Sequence, residues 1–267
     1  AVSFIIEPFL YVWSKKERMK LNPNEHWGTR LRYLLRWYEP ESVKVCRGII
    51  RPGMNILDIG ADVGYYTRLF SDLVGSTGKV WAFEPYPPSY EVLLKNIELS
   101  QYQNIVPVRK AISDKSEVTR FFGMNAPGKH GFYDASQINP ELSLQQEIIV
   151  ESTTIDDFLE GQRNPEIHFI KMDIEGGEPK AFAGMAKTIA RLKNLIMLIE
   201  WNAGTLGLAG KDPVVFLEEL RSFGFSVKGI LPHGFLREVD DVVLRFAEEG
   251  YINVLCFRNK DFVRSLL

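Results

Sequence analysis

From residue 52 onward the chain alternates between short apolar runs and longer amphipathic stretches, and this alternation is the strongest constraint on its fold. Short apolar runs joined by segments with helical spacing are typical of a parallel sheet with crossover helices. We therefore expect a doubly wound α/β fold with seven strands. The predicted strands cover residues 55–59, 80–83, 105–109, 168–172, 195–200, 226–230 and 252–258.

Start and stop residues mark the helices between these strands. Pro179 lies in a first-turn position after Gly177, and an Asp-Pro pair at 212–213 starts a helix that Gly224 stops. A shorter helix is expected over residues 41–50, just before a Pro-Gly pair. The helix after Gly177 should present one buried face, formed by Phe182, Met185, Ile189 and Leu192.

One stretch, residues 118–152, departs from this alternation of strands and helices. Two β-prone runs, 118–122 and 147–151, flank a polar loop that contains several glycines and prolines. We predict a hairpin-like insertion with a long tip, and long loops in compact domains usually carry function. His130 lies on this tip, so the loop is predicted to be a mobile lid that brings a histidine to the site.

The beginning of the chain has a different character. Residues 1–38 carry seven Lys or Arg side chains and three Glu side chains, and apolar residues recur at helical spacing from Trp27 to Tyr38. This pattern favours a cap helix with a solvated basic face, and contact with a membrane surface is the less favoured alternative. The apolar stretch 1–13 is too short to span a bilayer and lacks the features of a signal peptide. We expect a helical cap over residues 1–50 and a main domain over 51–267.

Composition narrows the classes of function. The 32 Lys and Arg against 34 Asp and Glu give a formal net charge of -2, so nucleic-acid binding is not expected. The two cysteines, Cys46 and Cys256, lie in apolar surroundings, which suits buried thiols rather than a bridge or a metal site. A reducing compartment, and hence a cytoplasmic location, is predicted.

The strongest local motif is an apolar strand that runs into a glycine-bearing turn and a helix, residues 56–67. In a doubly wound sheet a nucleotide-like ligand binds at such a turn, because glycine lets the backbone approach the ligand and turn onto the helix. The dinucleotide pattern G-x-G-x-x-G fails here, since Asp62 replaces the middle glycine and would repel a pyrophosphate. S-adenosylmethionine, which carries a cationic head, fits better, and Asp58 with Asp62 would attract it.

Further carboxylates follow other predicted strands. Glu84 ends the second strand, where a carboxylate can accept hydrogen bonds from both ribose hydroxyls. Asp173 and Glu175 should emerge beside the glycine turn, whereas Glu178 fits a helix cap. Glu200 leaves the next strand at the same edge of the sheet. The sequence therefore predicts a site at the carboxyl ends of these strands.

Taken in order, these motifs resemble the FkbM family of S-adenosylmethionine-dependent methyltransferases. The resemblance covers residues 38–203 and implies a Rossmann-like class I methyltransferase with a mostly parallel sheet, whose last strand is antiparallel. It also implies O-methylation of a hydroxyl on a sugar, glycan or natural product. Asp62 departs from the family pattern, which usually has Asn there. The motifs are YEPE at 38–41, LDIGADVGYYT at 57–67, FEP at 83–85, TTIDDFL at 153–159, IKMDIEGGE at 170–178 and IE at 199–200.

Other activities stay open at this point. N-methylation and a non-catalytic cofactor-binding scaffold are the alternatives, and a NAD-linked oxidoreductase is a more remote one. The acceptor is expected to be a small molecule or a glycan.

The expected site residues follow from these motifs. The base candidates are Asp173 and Glu175, with His130 on the lid as the second choice. A magnesium ion held by Asp173, Glu200 and Asn202 is less favoured than a metal-free carboxylate. The cofactor should contact Asp58, Gly60, Ala61, Asp62, Gly64, Tyr65, Glu84, Pro85, Ala111 and Asp173.

Overall fold

The computed structural model describes residues 2–17, 19–21, 25–35, 37–239 and 250–266. Its strands are β1 (Asn55–Ile59), β2 (Lys79–Phe83), β3 (Ile105–Val108), β4 (Ala111–Ile112), β5 (Val118–Met124), β6 (Leu144–Thr153), β7 (Phe169–Met172), β8 (Ile196–Trp201), β9 (Ser226–Leu231), β10 (Phe235–Glu238) and β11 (Ile252–Phe257). Its helices are α1 (Val2–Lys16), α2 (Trp27–Leu35), α3 (Pro40–Ile49), α4 (Tyr65–Val74), α5 (Pro87–Ser100), α6 (Ile155–Gly161), α7 (Glu178–Ala183), α8 (Ala186–Arg191), α9 (Ala203–Leu208), α10 (Pro213–Ser222) and α11 (Lys260–Leu266).

Eight of the described strands form one sheet in the order β10-β9-β11-β8-β7-β1-β2-β3. β1 is parallel to β2 and β7, and parallel pairing continues to β3 on one side and β8 on the other. β11 is antiparallel to both β8 and β9. The strand order reverses between β1 and β7, which is the switch point of a doubly wound sheet. The predicted α/β class is confirmed, and all seven predicted strands are present to within one residue at each end.

β10 lies outside the predicted set. It is an edge strand that pairs only with β9 in the described sheet, and three of its four residues are exposed. A short exposed strand has no apolar run, so its sequence does not distinguish it from a loop.

Helices cover both faces of the main sheet, which explains why its central strands are apolar along their whole length. Every residue of β8 and β11 is buried. Along β1 the side chains alternate between two core clusters, with Leu57 in one and Ile56 in the other. The first cluster includes residues of α7 to α10, and the second includes residues of α3 to α5.

The single helix expected after Gly177 is two short helices, α7 and α8, that meet at Gly184. A Cβ at Gly184 would lie 2.2 Å from the carbonyl oxygen of Ser113, so only glycine permits this close backbone approach. The predicted apolar face is nevertheless intact. Its four residues are all buried, namely Phe182, Met185, Ile189 and Leu192.

The insertion is a hairpin, as predicted. β5 and β6 pair in antiparallel register from Val118 opposite Glu151 to Phe122 opposite Glu147. β6 also pairs in parallel with β4, which gives a second sheet in the order β4-β6-β5. The tip returns to β5 through a bridge between Phe122 and Gly131. We call residues 125–131 the tip loop.

At the N-terminal side, α2 is the predicted amphipathic helix. Leu34 is buried and packs in one cluster with Leu10 of α1 and with Val63 of the main sheet's first turn. Tyr38 lies beyond the end of the helix, and Arg30, expected on a solvated face, is buried. No helix in the described part of the chain combines the length and the apolarity needed to cross a membrane.

Candidate active site

A cleft of about 320 Å³ opens at the carboxyl ends of β1, β2, β7 and β8, and α2 and the tip loop complete its walls. It brings together most of the predicted site residues, although Asp58 and Gly64 are not among its lining residues. The predicted residues that line it are Gly60, Ala61, Asp62, Tyr65, Glu84, Pro85, Ala111, His130, Asp173, Glu175 and Glu200.

The turn after β1 is shaped by two glycines with left-handed backbone. Gly60 has φ +82°, and a Cβ there would lie 1.9 Å from the carbonyl oxygen of Asp173. Gly64 has φ +90°, and a Cβ there would lie 2.8 Å from a side-chain carbon of Leu93. Both glycines are therefore required by contacts within the protein. Gly64 precedes α4 and does not line the cleft, so its predicted contact with the cofactor stays a prediction.

Glu84 is fixed in a defined orientation at the end of β2. Its Oε2 accepts a hydrogen bond from the backbone N–H of Asp62 at 2.9 Å, and its Oε1 accepts one from that of Tyr86 at 2.8 Å. Burial, with the nearby charge of Asp62, raises the pKa of Glu84 to about 8 even though the two N–H groups oppose this shift. The side chain of Asp62 accepts a hydrogen bond from Ser89 at 2.8 Å. Two oriented carboxyl groups therefore lie side by side in this wall of the cleft.

Asp58 lies below the cleft. It is fully buried, and its Oδ2 accepts a hydrogen bond from the hydroxyl of Thr67 at 2.6 Å. Burial raises the pKa of Asp58 to about 6, against the attraction of Lys171. Asp58 thus supports the site through Thr67 and Lys171, which corrects the expectation that it contacts the cofactor directly.

Asp173 is the carboxylate held most strongly in its charged form. Lys171, which is buried, donates to Asp173 Oδ2 at 2.8 Å and lies 4.7 Å from the centre of the Tyr66 ring. Burial would raise the pKa of Asp173, but Lys171 and a hydrogen bond with Glu200 outweigh it, so this pKa lies well below its usual range. Burial and the charge of Asp173 raise the pKa of Glu200 well above its usual range. Glu200 therefore carries the proton of the Asp173–Glu200 hydrogen bond.

Glu175 and Glu178 belong to one turn but have different partners. Glu178, the first residue of α7, accepts hydrogen bonds from the backbone N–H groups of Ile174 at 2.8 Å and Gly176 at 3.0 Å. It therefore stabilises the turn that precedes the helix and, contrary to the prediction, does not cap the helix. Glu175, with φ +51°, lines the cleft and accepts a hydrogen bond from Lys129 of the tip loop at 2.5 Å. Burial raises the pKa of Glu175 despite Lys129.

The hydrogen bond that His130 accepts and its burial make it a weak base. Its Nδ1 accepts a hydrogen bond from the backbone N–H of Met124 at 3.0 Å, and its ring centre lies 3.9 Å from that of Tyr86. Burial lowers the pKa of His130 to about 4. Because Nδ1 is an acceptor, the neutral ring carries its proton on Nε2, and neither nitrogen is free to take another. This geometry corrects the prediction of His130 as the second-choice base.

Three carboxylates form the densest group of oxygen ligands in the cleft. Asp173, Glu175 and Glu200 bring one oxygen each within 4.8 Å of one another. The predicted metal set contained Asn202 instead of Glu175. Asn202 Oδ1 accepts hydrogen bonds from two backbone N–H groups at the start of α9, so its side chain caps that helix.

Sequence reasoning missed the aromatic wall contributed by the N-terminal part of the chain. Tyr33 of α2 stacks on Tyr65 with ring centres 5.2 Å apart, and Tyr38 contacts both rings edge-on. All three rings line the cleft. Tyr38 opens the YEPE motif, which was the available signal. Lys171 was missed as well, and its signal was a charged residue inside an otherwise apolar strand.

A doubly wound sheet of this order, with an antiparallel strand near one edge and a cleft at the switch point, defines a Rossmann-like methyltransferase fold. The chain belongs to the methyltransferase FkbM domain family, whose model matches residues 58–227, more than half of the chain. This match confirms the resemblance seen in the motifs.

Relatives are similar over parts of the chain. Hexuronic acid methyltransferase AglP of Haloferax volcanii is 23% identical over 166 residues, which are 61% of this chain and 61% of that protein. Protein-L-isoaspartate O-methyltransferase of Methanothrix thermoacetophila is 34% identical over 56 residues, 21% of this chain and 27% of that protein. The chain thus spans less than two thirds of the length of both relatives. Among solved structures, methyltransferase FkbM from Methylobacillus flagellatus KT has a TM-score of 0.47 at 14% identity, covering 96% of this chain and 59% of that one.

Proposed function

We propose that this protein is an S-adenosylmethionine-dependent methyltransferase that O-methylates a hydroxyl of a sugar or a similar hydroxylated acceptor. The observation that carries the proposal is that Glu84, Asp173 and Glu175 line one cleft at the switch point of the sheet. The first carboxylate suits a ribose, and the other two suit an acceptor hydroxyl. Membership of the FkbM family supports methyl transfer, and the similarity to AglP supports a sugar acceptor.

The residues of the cleft fit this cofactor. Both oxygens of Glu84 are oriented by backbone N–H groups, and each keeps a second lone pair for a ribose hydroxyl. The stacked rings of Tyr33 and Tyr65 add aromatic surface, which favours a cationic group. We therefore propose that Glu84 binds the ribose of the cofactor and that the aromatic wall contacts the same cofactor molecule.

When bound, S-adenosylmethionine would supply a methyl group on a positively charged sulfur, so that an oxygen–carbon bond to the acceptor forms in line as the carbon–sulfur bond breaks and a neutral thioether leaves. The chain itself must orient the acceptor and take its hydroxyl proton. Glu175 is the preferred proton acceptor, because burial raises its pKa, whereas Lys171 and Glu200 hold the pKa of Asp173 low. Asp173 is then a charged hydrogen-bond acceptor that orients the acceptor hydroxyl.

The test is transfer of a labelled methyl group to a panel of uronic acids, neutral sugars and amines. We expect a methyl ether on a sugar hydroxyl, with kcat lowered about 100-fold or more in Glu175→Gln. Glu147→Gln, on β6 and away from the cleft, is the matched control and should be unchanged. If only amines are methylated, the proposed O-methylation is wrong and the protein is an N-methyltransferase. Cofactor binding with no transfer to any acceptor would favour a binding scaffold, and binding of NAD instead would contradict the proposal.

A further inference from the structure

The three-carboxylate group of the cleft contains a cation that belongs to the chain. Lys129 Nζ lies 2.5 Å from Glu175 Oε1. Asp173 and Glu200 also attract this ammonium electrostatically. Of the three N–H donors of this ammonium, one is bonded to Glu175, so the group retains donor capacity on the side of the other two carboxylates.

The backbone of the tip loop fixes the approach of Lys129. Two residues further on, Gly131 exchanges backbone hydrogen bonds with Phe122 of β5, at 2.8 and 3.2 Å. The intervening His130 accepts the hydrogen bond from Met124. A Cβ at Gly131 would lie 3.5 Å from the Cβ of Glu175, so the loop lies directly on the turn after β7. Backbone hydrogen bonds therefore hold in place the segment that carries the Lys129 ammonium.

Two of the three carboxylates already have an ammonium partner within the chain. Lys171 Nζ lies 2.8 Å from Asp173 Oδ2, and Lys129 Nζ lies 2.5 Å from Glu175 Oε1. Three oxygen ligands at this spacing would otherwise suit a hard divalent cation completed by water.

We propose that the ammonium of Lys129 occupies the cation position of the Asp173–Glu175–Glu200 group, so that the tip loop supplies the charge that a divalent metal would supply. Removal of the ammonium converts the same three carboxylates into a divalent-cation site. Only the activity measurement below rests on the proposed function.

The decisive experiment is Mn²⁺ binding, followed by electron paramagnetic resonance, in the wild-type protein and in Lys129→Met. We expect no specific binding in the wild type and an increase in affinity of about tenfold or more in Lys129→Met, because a positive charge next to the oxygens is lost. The control is Lys110→Met, a second lysine of the cleft wall, which pairs with the exposed Glu151 and not with the carboxylate group. Lys110→Met should bind Mn²⁺ like the wild type.

Two further measurements keep the result interpretable. Lys129→Gln repeats the charge removal with a polar side chain, and thermal melting establishes that both variants are folded. Glu200→Gln, added to Lys129→Met, should remove the gained Mn²⁺ binding and so locate it. Specific Mn²⁺ binding by the wild type, or no gain in folded Lys129→Met and Lys129→Gln, would overturn the proposal.

Activity adds an independent comparison. Wild-type methyl transfer should be unchanged after exhaustive chelation, whereas Lys129→Met should lose activity in chelator and regain part of it with Mn²⁺ or Mg²⁺. Wild-type activity that is lost in chelator and restored by Mg²⁺ would overturn the proposal. If no acceptor is methylated at all, the proposed function fails, while Mn²⁺ binding still decides the role of Lys129.

Discussion

The turns after β1 and after β7 are built alike and used differently. Each follows a buried strand, contains a glycine with positive φ and places a non-glycine residue in the left-handed region, Asp62 with φ +44° and Glu175 with φ +51°. In the first turn the Asp62 carboxylate accepts a hydrogen bond from the hydroxyl of Ser89, and the backbone N–H of Asp62 donates one to Glu84. In the second, carboxylates contact the ammonium groups of Lys171 and Lys129.

This difference separates two tasks within one cleft. Neutral donors orient the carboxyl groups beside β1 and β2 and leave them without a cationic partner from the protein, which suits recognition of ribose hydroxyls and a cationic cofactor. Ammonium groups beside β7 balance the carboxylates, so that several of them can stay close together out of water. The two halves touch where Gly60 meets the carbonyl oxygen of Asp173, so each half fixes the position of the other.

The largest effect should come from removing the cation of the second turn. Lys171→Met leaves Asp173 and Asp58 without their buried partner, and breaking a buried pair costs about 3–5 kcal/mol of unfolding free energy. Urea denaturation measures the loss. The matched control is Lys95→Met, which removes an exposed pair with Glu98 and should cost less than about 1 kcal/mol. Equal losses in both variants would contradict the charge-balanced role of the second turn.

The contact between the two turns should be the next most sensitive point. Gly60→Ala strains the backbone at a positive φ, which lowers the free energy of unfolding by about 1–2 kcal/mol. The new Cβ also lies against the Asp173 carbonyl oxygen, and this overpacking lowers it by about a further 1–3 kcal/mol. Cofactor affinity should fall at the same time, because the turn must move. Gly53→Ala also has a positive φ, +86°, but the nearest atom lies 3.6 Å from its Cβ, so this control isolates the crowding term. Calorimetric titration and thermal melting of both variants test this; intact binding in Gly60→Ala would place the ligand elsewhere.

Two glutamates with the same backbone pairing distinguish recognition from support. Glu84→Ala should weaken cofactor binding by about 1.5–3 kcal/mol, because a charge-assisted contact with the ligand is lost. Glu178→Ala removes an equivalent pair of backbone hydrogen bonds, but Glu178 does not line the cleft. It should lower the melting temperature and leave the dissociation constant nearly unchanged. Similar affinities for Glu84→Ala and the wild type would remove Glu84 from the ribose site.

The last prediction is a dependence on pH that belongs to Glu84, which follows β2 and pairs with the first turn. Glu84 has a pKa of about 8 against an ordinary value of 4.5, so the folded protein holds a proton there that the unfolded chain has released. The stability due to this proton is complete below pH 4.5 and is lost as the pH rises to about 8.

Ribose hydroxyls donate to the charged carboxylate, so cofactor binding should release a proton below pH 8 and strengthen by up to about tenfold per pH unit until that value. Calorimetry in buffers of different ionisation enthalpy measures the released proton. Glu84→Gln should abolish both the release and the pH dependence. A pH dependence that persists in this variant would assign it to another group.

The sequence could predict the parts of the site that depend on local strand and turn patterns. Gly60, Glu84 and Asp173 follow apolar strands, and the carboxyl ends of parallel strands meet at one edge, so their meeting in the cleft follows from strand positions alone. Lys129 and Tyr33 reach the same cleft from an insertion and from an N-terminal helix, whose docking depends on packing that no local pattern encodes. Asn202 was misassigned because an Asn after a strand serves equally as a ligand or as a helix cap, and the following residues start α9.

The buried ammonium of Lys171 has a consequence for the order of folding. Its carboxylate partners include Asp58 in β1 and Glu39 before α3, which are synthesised long before it. Until β7 joins β1, burial of these groups leaves carboxyl groups in the core without a cation. The N-terminal strands therefore cannot complete their core alone, and we expect the docking of β7 to be the late step that makes folding of the whole sheet cooperative.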